Sequence, residues 1–515
     1  MHLAYTTRPT PARASSSRAR RPISQGGDYL TPSTNAPERE DARGPVATFL
    51  ALAITLGLAQ AILHPFEQVT DEGGHFARAI RVATGEWLPR RGDLFAPASP
   101  ELAAYLRYFY LRKLEVRQQF DADEIPFAAY TIDEYFQPPL VVERPDDGPS
   151  ALMVGTQRLN PSHGYLGQAA FLTMANWLGD APALHFYAAR VGALAAGVLV
   201  TAAAIAILPV GRWIVVFGAM TPMLLIIRSS LSSDGMTVSL SWLLVALFLR
   251  ARVRTDRFRC SEFTALLACG IALTLLKANL VLFPLLALLL PADRFASDGR
   301  RWAVMGTLAT LPGLAAAGWW MWLSATDSTL ITTPAPVAVG GLGTIIQWLP
   351  RFLLEAPLLF ADYDWKWLEQ FVGDYWRAPG FLTIKIPDWA IWLWVGLLFG
   401  LLATAPRHPR IGPDAAAVAG VLAVGLVLGT MFLFWLGPKL GGPVDHNIMF
   451  MSGRYLHPVL ALFVPLGLGL QALRRGPTRP GAAARLHRLM AVGGALVIVG
   501  ASFLMNLRMN LGWAP

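Results

Sequence analysis

Apolar residues along this chain gather into eleven runs separated by polar connections: 45–63, 187–208, 213–228, 234–250, 262–276, 278–290, 303–323, 389–404, 415–436, 454–471 and 489–507. A helix needs about 20 apolar residues to cross the ~30 Å hydrocarbon core of a bilayer, and most of these runs approach that length. The pattern predicts an all-α polytopic membrane protein with about 11 transmembrane helices. The run from Pro45 to Leu63 begins too far along the chain for a standard signal peptide and lacks a small-residue cleavage site. It reads as an uncleaved first span. The short pair 262–276 and 278–290 also fits a tight hairpin that does not cross fully.

Charge assigns the sides. Residues 1–44, rich in Arg, Ser, Thr and Pro, read as a disordered tail with seven Arg. With this tail in the cytoplasm, alternation puts inside the connections that carry Arg212, Arg250 to Arg259, Arg294 to Arg301, Arg407 with Arg410, and Arg474 to Arg488. That is the positive-inside pattern. Only 9 of the 34 acidic residues fall on this side. Residues 163–179 are moderately apolar, but a span there would invert every later loop. They are placed as an interfacial helix on the outer surface. The chain is thus expected in a membrane with its N-terminus cytoplasmic, with 45–510 as its membrane domain and outer loops at 64–186 and 324–388.

Composition agrees. Charged residues make up 15% and hydrophobic residues 54%, against about 25% charged in a soluble domain. This excludes a disordered protein and a typical cytosolic enzyme. Two cysteines, Cys260 and Cys269, make no disulfide framework and read as buried thiols. The net charge of +9 sits in loop anchors rather than on one basic face, so nucleic acid is not an expected partner.

Candidate chemistry crowds the outer side. Asp71 and Glu72 follow the first span closely, and His75 shares a helical face with both. Thr70 can cap that helix, which is expected to run through Arg78 to Gly85. Such a carboxylate pair can supply a general base. With His75 it can instead hold a divalent cation that binds a phosphate. The plain alternative is a helix start with acids on its dipole. Asp234, after a serine cluster, either caps a helix or binds substrate. Arg190, Arg228, Lys277 and Arg454 lie near outer ends of spans, where together they can cradle a lipid phosphate. His163 lies in a Pro-led helix start, Asn160 to Tyr165. Acid pairs at Asp121, Asp123 and Glu124 and at Asp362 and Asp364 read as solvated loops. Aromatics at 363–377 suit either a sugar platform or an interfacial belt. No Walker motif, dinucleotide turn or zinc helix is present.

Several of these residues fall in one ordered series. Pro65 to Gly85 contains Asp71-Glu72-x-x-His75-Phe76-x-Arg78-Ala79. Ser232-Ser233-Asp234, Lys277 and Gly453-Arg454-Tyr455-Leu456-x-Pro458 follow. The series resembles a bacterial membrane family called domain of unknown function 2142. One departure is Asn160 to Tyr165, which stands where the family has Tyr-x-Pro-Leu-Tyr-Tyr. That family in turn resembles membrane glycosyltransferases of the C-type (GT-C) fold. The resemblance implies transfer, with inversion, from a polyprenyl-phosphate-linked sugar to an envelope glycan, lipid or protein acceptor. It implies a catalytic role for Asp71, with Glu72 second. Substrate binding is expected of His75, Arg78, His163, Arg228, Asp234, Lys277, Arg454 and Tyr455, among membrane lipids. The rival readings are a transporter or flippase of lipid-linked sugars, and a non-catalytic assembly protein.

Overall fold

The chain divides into two units, Met1–Glu38 and Arg39–Pro515, and every described residue belongs to the second. The computed structural model describes residues 41–64, 69, 71–89, 95–119, 151–153, 157, 159–326, 343, 346–357, 387–439, 453–474 and 480–511. Residues 1–40 of the tail, the acids at 121–124 and 362–364, and the aromatics at 363–377 lie outside the described residues. So do Thr70 and the Arg454 side chain.

The described part is helical apart from one small ribbon. The helices are α1 (Arg43–Leu63), α2 (Glu72–Ala83), α3 (Pro100–Gln119), α4 (Leu166–Leu178), α5 (Pro182–Ile207), α6 (Arg212–Ala219), α7 (Pro222–Ser229) and α8 (Asp234–Val253). They continue as α9 (Cys260–Leu276), α10 (Asp298–Thr326), α11 (Asp388–Ala403), α12 (Pro413–Lys439), α13 (Phe463–Gln471) and α14 (Pro480–Leu511). Strands β1 (Phe95–Pro97) and β2 (Ala151–Met153) pair antiparallel, Phe95 opposite Met153.

Among the described residues, five helices are long and apolar enough to span a bilayer: α1, α5, α8, and the Pro413–Leu433 and Ala484–Leu504 stretches of α12 and α14. The count becomes six if α6 and α7 form one span. The expected eleven is therefore not confirmed. The runs 262–276 and 389–404 fall on α9 and α11, of 17 and 16 residues. At 1.5 Å per residue these reach only about 25 Å. The run 278–290 folds into 3-10 turns at Ala278–Leu280 and Phe283–Leu289, and 454–471 divides into a 3-10 segment (Gly453–Leu462) and α13. Pro284 and Pro458 remove backbone donors that a continuous α-helix would need. Cys269 is buried, but Cys260 is exposed, contrary to expectation.

The run 213–228 is not one straight helix. α6 and α7 meet at 70°. Thr221 caps α7 by accepting from the Leu224 N–H at 3.3 Å, and Pro222 takes its first position. A proline cannot extend α6 but suits the start of a new helix. The pair still climbs along α5. At its start Arg212 Nε donates to the Ile205 carbonyl at 3.0 Å. Beyond its end, the Leu231 N–H reaches Glu72, which is bound to Arg190. From Ile205 back to Arg190 is about 22 Å of α5, so the pair is a broken crossing rather than a loop that returns to its starting side.

The 13-residue α4 is too short to span and is not among the candidate crossings. It folds back on α5 so closely that a Cβ at Gly167 or Gly192 would strike the other's backbone. At the Arg-rich end, ion pairs cross-brace the connections. The buried Arg294 bonds Glu262 at 2.7 Å and the Asp256 carbonyl at 2.7 Å, Arg252 bonds Asp414 at 2.6 Å, and Arg410 pairs with Asp293 at 3.0 Å.

Candidate functional site

Helix α2 starts at Glu72, with Asp71 before it in the left-handed region (φ 64°), and no side-chain cap is formed. The helix ends two residues before Gly85. Gly85, at φ 88°, donates to the Val82 carbonyl at 3.1 Å, and the Glu86 N–H reaches the Arg81 carbonyl at 2.8 Å. This paired closure uses the positive φ that glycine supplies without strain. Phe76, Ala79 and Val82 pack with Tyr105, Tyr165, Phe186 and Leu231.

The polar side chains of α2 go to separate partners. Glu72 is fully buried. Its Oε1 accepts from Arg190 Nε at 2.9 Å and its Oε2 from Nη2 at 2.7 Å. Arg190 also donates to the Ala61 carbonyl at 2.8 Å and to the His64 carbonyl, which ties the end of α1 to α5. His75 Nδ1 meets the Tyr165 hydroxyl at 2.7 Å, and its Nε2 lies 3.4 Å from Ser232 Oγ. Arg78 donates to the carbonyls of Asn160, Glu86 and Trp87 and to Ser162 Oγ, at 2.9–3.2 Å. Burial lowers its pKa from the ordinary arginine value. Asp71 stays exposed.

The expected metal set of Asp71, Glu72 and His75 therefore does not assemble. Glu72 is held by Arg190 and His75 by Tyr165. Among the described residues no three His, Cys, Asp or Glu side chains form a metal-binding group. Arg78 has a structural role too, holding the chain as it leaves α2.

A second constellation forms where α8 begins. Asp234 Oδ1 lies 2.9 Å from Lys277 Nζ, and the ammonium sits 5.0 Å from the centre of the Tyr455 ring. These three line a cleft with Thr237, Val238, Asn279, Leu280 and Pro458. Lys277 is extended (φ −144°, ψ 103°) because α9 stops and a 3-10 turn follows. Asn279 Nδ2 donates to Thr430 Oγ1 at 3.1 Å and ties that turn to α12. The cleft is polar at one point and apolar around it. An ion pair in such surroundings is a weak source of stability and a default candidate for function.

Fold thus brings together Asp234, Lys277 and Tyr455, which are distant in sequence. It does not bring Arg228 or His163 to them. Arg228 is fully buried, and it donates to the carbonyl of Ala219, the last residue of α6, at 2.5 Å and to Thr201 Oγ1 at 3.3 Å. A cation there offsets the negative end of the α6 dipole where the span breaks, so its expected place in a phosphate cradle is not seen. His163 Nε2 donates to the Ala272 carbonyl at 2.9 Å. Its neighbour Tyr165, met in the sequence only as the end of that helix start, lies against His75 instead. The Tyr165 oxygen accepts from Asn160 Nδ2 at 2.9 Å, and the ring is fully buried. Burial raises the phenol well above its ordinary pKa, so it keeps its proton.

Comparison with known proteins places this arrangement in context. The Na(+)/H(+) antiporter NhaA 1 of Pelobacter propionicus is 30% identical over 127 residues, which are 24% of this chain and 32% of that protein. The chain therefore matches about a third of that relative's length. The crystal structure of ArnT from Cupriavidus metallidurans bound to undecaprenyl phosphate superposes with a TM-score of 0.31 at 13% identity, over 84% of this chain and 79% of that one. A superposition that loose carries no weight about architecture or mechanism. The family described as predicted membrane protein DUF2142 matches residues 154–463, a stretch that includes the cleft of Asp234, Lys277 and Tyr455. With more than half of its length matched, this multi-pass chain belongs to the DUF2142 family of membrane proteins.

Proposed function

We propose that the chain is a membrane glycosyltransferase. It would move a sugar from a polyprenyl-phosphate donor to an envelope glycan, lipid or protein acceptor, on the outer side of a bacterial inner membrane. The conformation of Asp71 carries this reading. It is the only non-glycine residue with positive φ among the described residues. That conformation costs a non-glycine residue roughly 1 kcal/mol. Such strain clusters at functional sites, and this instance falls on an exposed carboxylate just beyond a span.

Asp71 takes the role of base because Glu72, the other candidate, is buried and held at both oxygens by Arg190. Asp71 accepts the proton of an acceptor hydroxyl as that oxygen bonds to the anomeric carbon. The bond from that carbon to the phosphate oxygen breaks on the opposite face, so configuration inverts. The phosphate leaves with the bonding electrons, and Lys277 offsets its charge. A short backbone path supports a shared site: the Leu231 N–H bonds Glu72 at 3.3 Å, and Asp234, three residues on, pairs with Lys277.

The test offers purified protein in lipid a panel of polyprenyl-phosphate sugars with envelope extract as acceptor. Release of free polyprenyl phosphate by wild type, lost in folded Asp71→Asn, supports the reading. No release or transfer from any donor by folded wild type overturns it.

Ion-coupled translocation is a second reading, favoured by the broken crossing of α6 and α7 beside the ion pair at the start of α8. Interrupted helices commonly line transport sites. Proteoliposomes carrying a pH-sensitive dye would show sodium-driven proton movement in wild type and its loss in Asp234→Asn. A flat trace in wild type removes this reading.

A further inference from the structure

We propose that Tyr165 is a positioning residue whose hydroxyl, through His75 and Ser232, sets where Asp234 meets Lys277; the proposal rests on the reading of that cleft as the ligand site. The 3-10 turn Ser162–Tyr165 touches the two elements that carry the ion pair, α8 at its start and α9 at its end. Its Gly164 packs so tightly that a Cβ there would lie 2.7 Å from Leu276 and 3.2 Å from Ser233. Those are the residues immediately before Lys277 and Asp234. His163 fastens the same turn to α9 at Ala272, and Arg78 fastens it to α2 at Ser162.

Tyr165 joins these contacts by hydrogen bonds. Its hydroxyl meets His75 on α2 and Asn160 before the turn. From His75 the chain of polar contacts continues to Ser232 Oγ at 3.4 Å, which accepts the Asp234 N–H at 3.2 Å. The backbone that carries Asp234 is therefore held by one hydrogen-bond path from a buried phenol and by the packing of Gly164 on Ser233. Buried polar networks of this kind define a single geometry when every member is satisfied. Removing the hydroxyl leaves the ring packing intact and frees Ser232 to shift. Asp234 then moves relative to Lys277, the ion pair loosens, and more of Lys277 becomes the reactive free amine.

The experiment measures that amine without any sugar donor. Full-length protein in lipid nanodiscs is treated with an amine-acetylating reagent, and the rate at Lys277 is read by mass spectrometry of its peptide. Asp234→Asn gives the rate with the pair abolished. Tyr165→Phe is expected to raise the wild-type rate by about threefold or more, in line with coupling among networked side chains. Tyr105→Phe, which removes a buried hydroxyl bonded to Tyr187, is expected to leave it unchanged. An unchanged rate in Tyr165→Phe, or an equal rise in Tyr105→Phe, overturns the proposal. If Tyr165→Phe does not fold, His75→Phe, which cuts the path between Tyr165 and Ser232, decides in the same way, a rise supporting the proposal and no rise overturning it. Donor turnover is a separate readout. A rise at Lys277 with no donor consumed by wild type keeps this proposal and removes the transferase reading.

Discussion

Arg190 grips both carboxylate oxygens of Glu72 from 118 positions away in the sequence, with the two side chains 1% and 0% exposed. The pair joins α1, α2 and α5, because the same guanidinium holds the last carbonyls of α1. Breaking a buried pair from one side leaves an uncompensated charge.

Glu72→Gln is therefore expected to destabilise the protein by about 3–5 kcal/mol, and Arg190→Met to do the same. The double variant Glu72→Gln/Arg190→Met should lose less than the sum of the two. Thermal melting in detergent checks all three.

Asp71 should behave in the opposite way. Asp71→Gly relieves the left-handed strain and is expected to stabilise by roughly 1 kcal/mol. Asp71→Asn, which tolerates that conformation, should leave the melting temperature near wild type while abolishing donor cleavage. A fall in melting temperature for Asp71→Gly contradicts strain at this position.

At the Arg-rich end, Arg254 first, then Arg259 and Arg294, hold the Asp256 carboxyl below its ordinary value of 3.8. A carboxyl depressed on folding contributes stability that is present above its unfolded pKa and is lost as pH falls through the folded one. The connections around Asp256 should thus loosen only below about pH 4. Hydrogen exchange of residues 254–262 as a function of pH measures this, and Asp256→Asn should flatten the response.

The close crossing of α4 and α5 predicts a steric effect. Gly192→Val must push the two helices apart, since a Cβ at Gly192 would already strike the Gly167 backbone. A loss of about 1–3 kcal/mol is expected. Gly299→Ala, where nothing lies within 4 Å of an added Cβ, should be neutral or slightly stabilising in the same melting assay.

How far the sequence could be read depends on the range of each signal. Asp234 and Lys277 stood out as polar residues at the ends of apolar runs and Tyr455 through its resemblance to a family motif, and the fold puts them at one cleft. The break after α6 was missed, although Thr221-Pro222 is a cap followed by a first-turn proline. The apolar run across it hides that signal. Tyr165 carried none, because one tyrosine at a helix start looks like any other. Only its contacts with His75 and Asn160 give it a role.

By itself the sequence determined that the chain is helical, that it lies in a membrane, and that several of its stretches are apolar enough to cross. Those properties follow from composition and local period, and water excludes long apolar helices whatever they pack against. Tertiary structure decided the rest. It buried Glu72 against Arg190 while leaving Asp71 exposed, although the two acids are neighbours in the chain. It turned Arg228 inward to the end of α6 and left Lys277 in the cleft, although both are cations at the ends of apolar runs. The physical reason is that a charge in a low-dielectric interior takes its role from the partner within about 4 Å, and sequence spacing does not specify that partner.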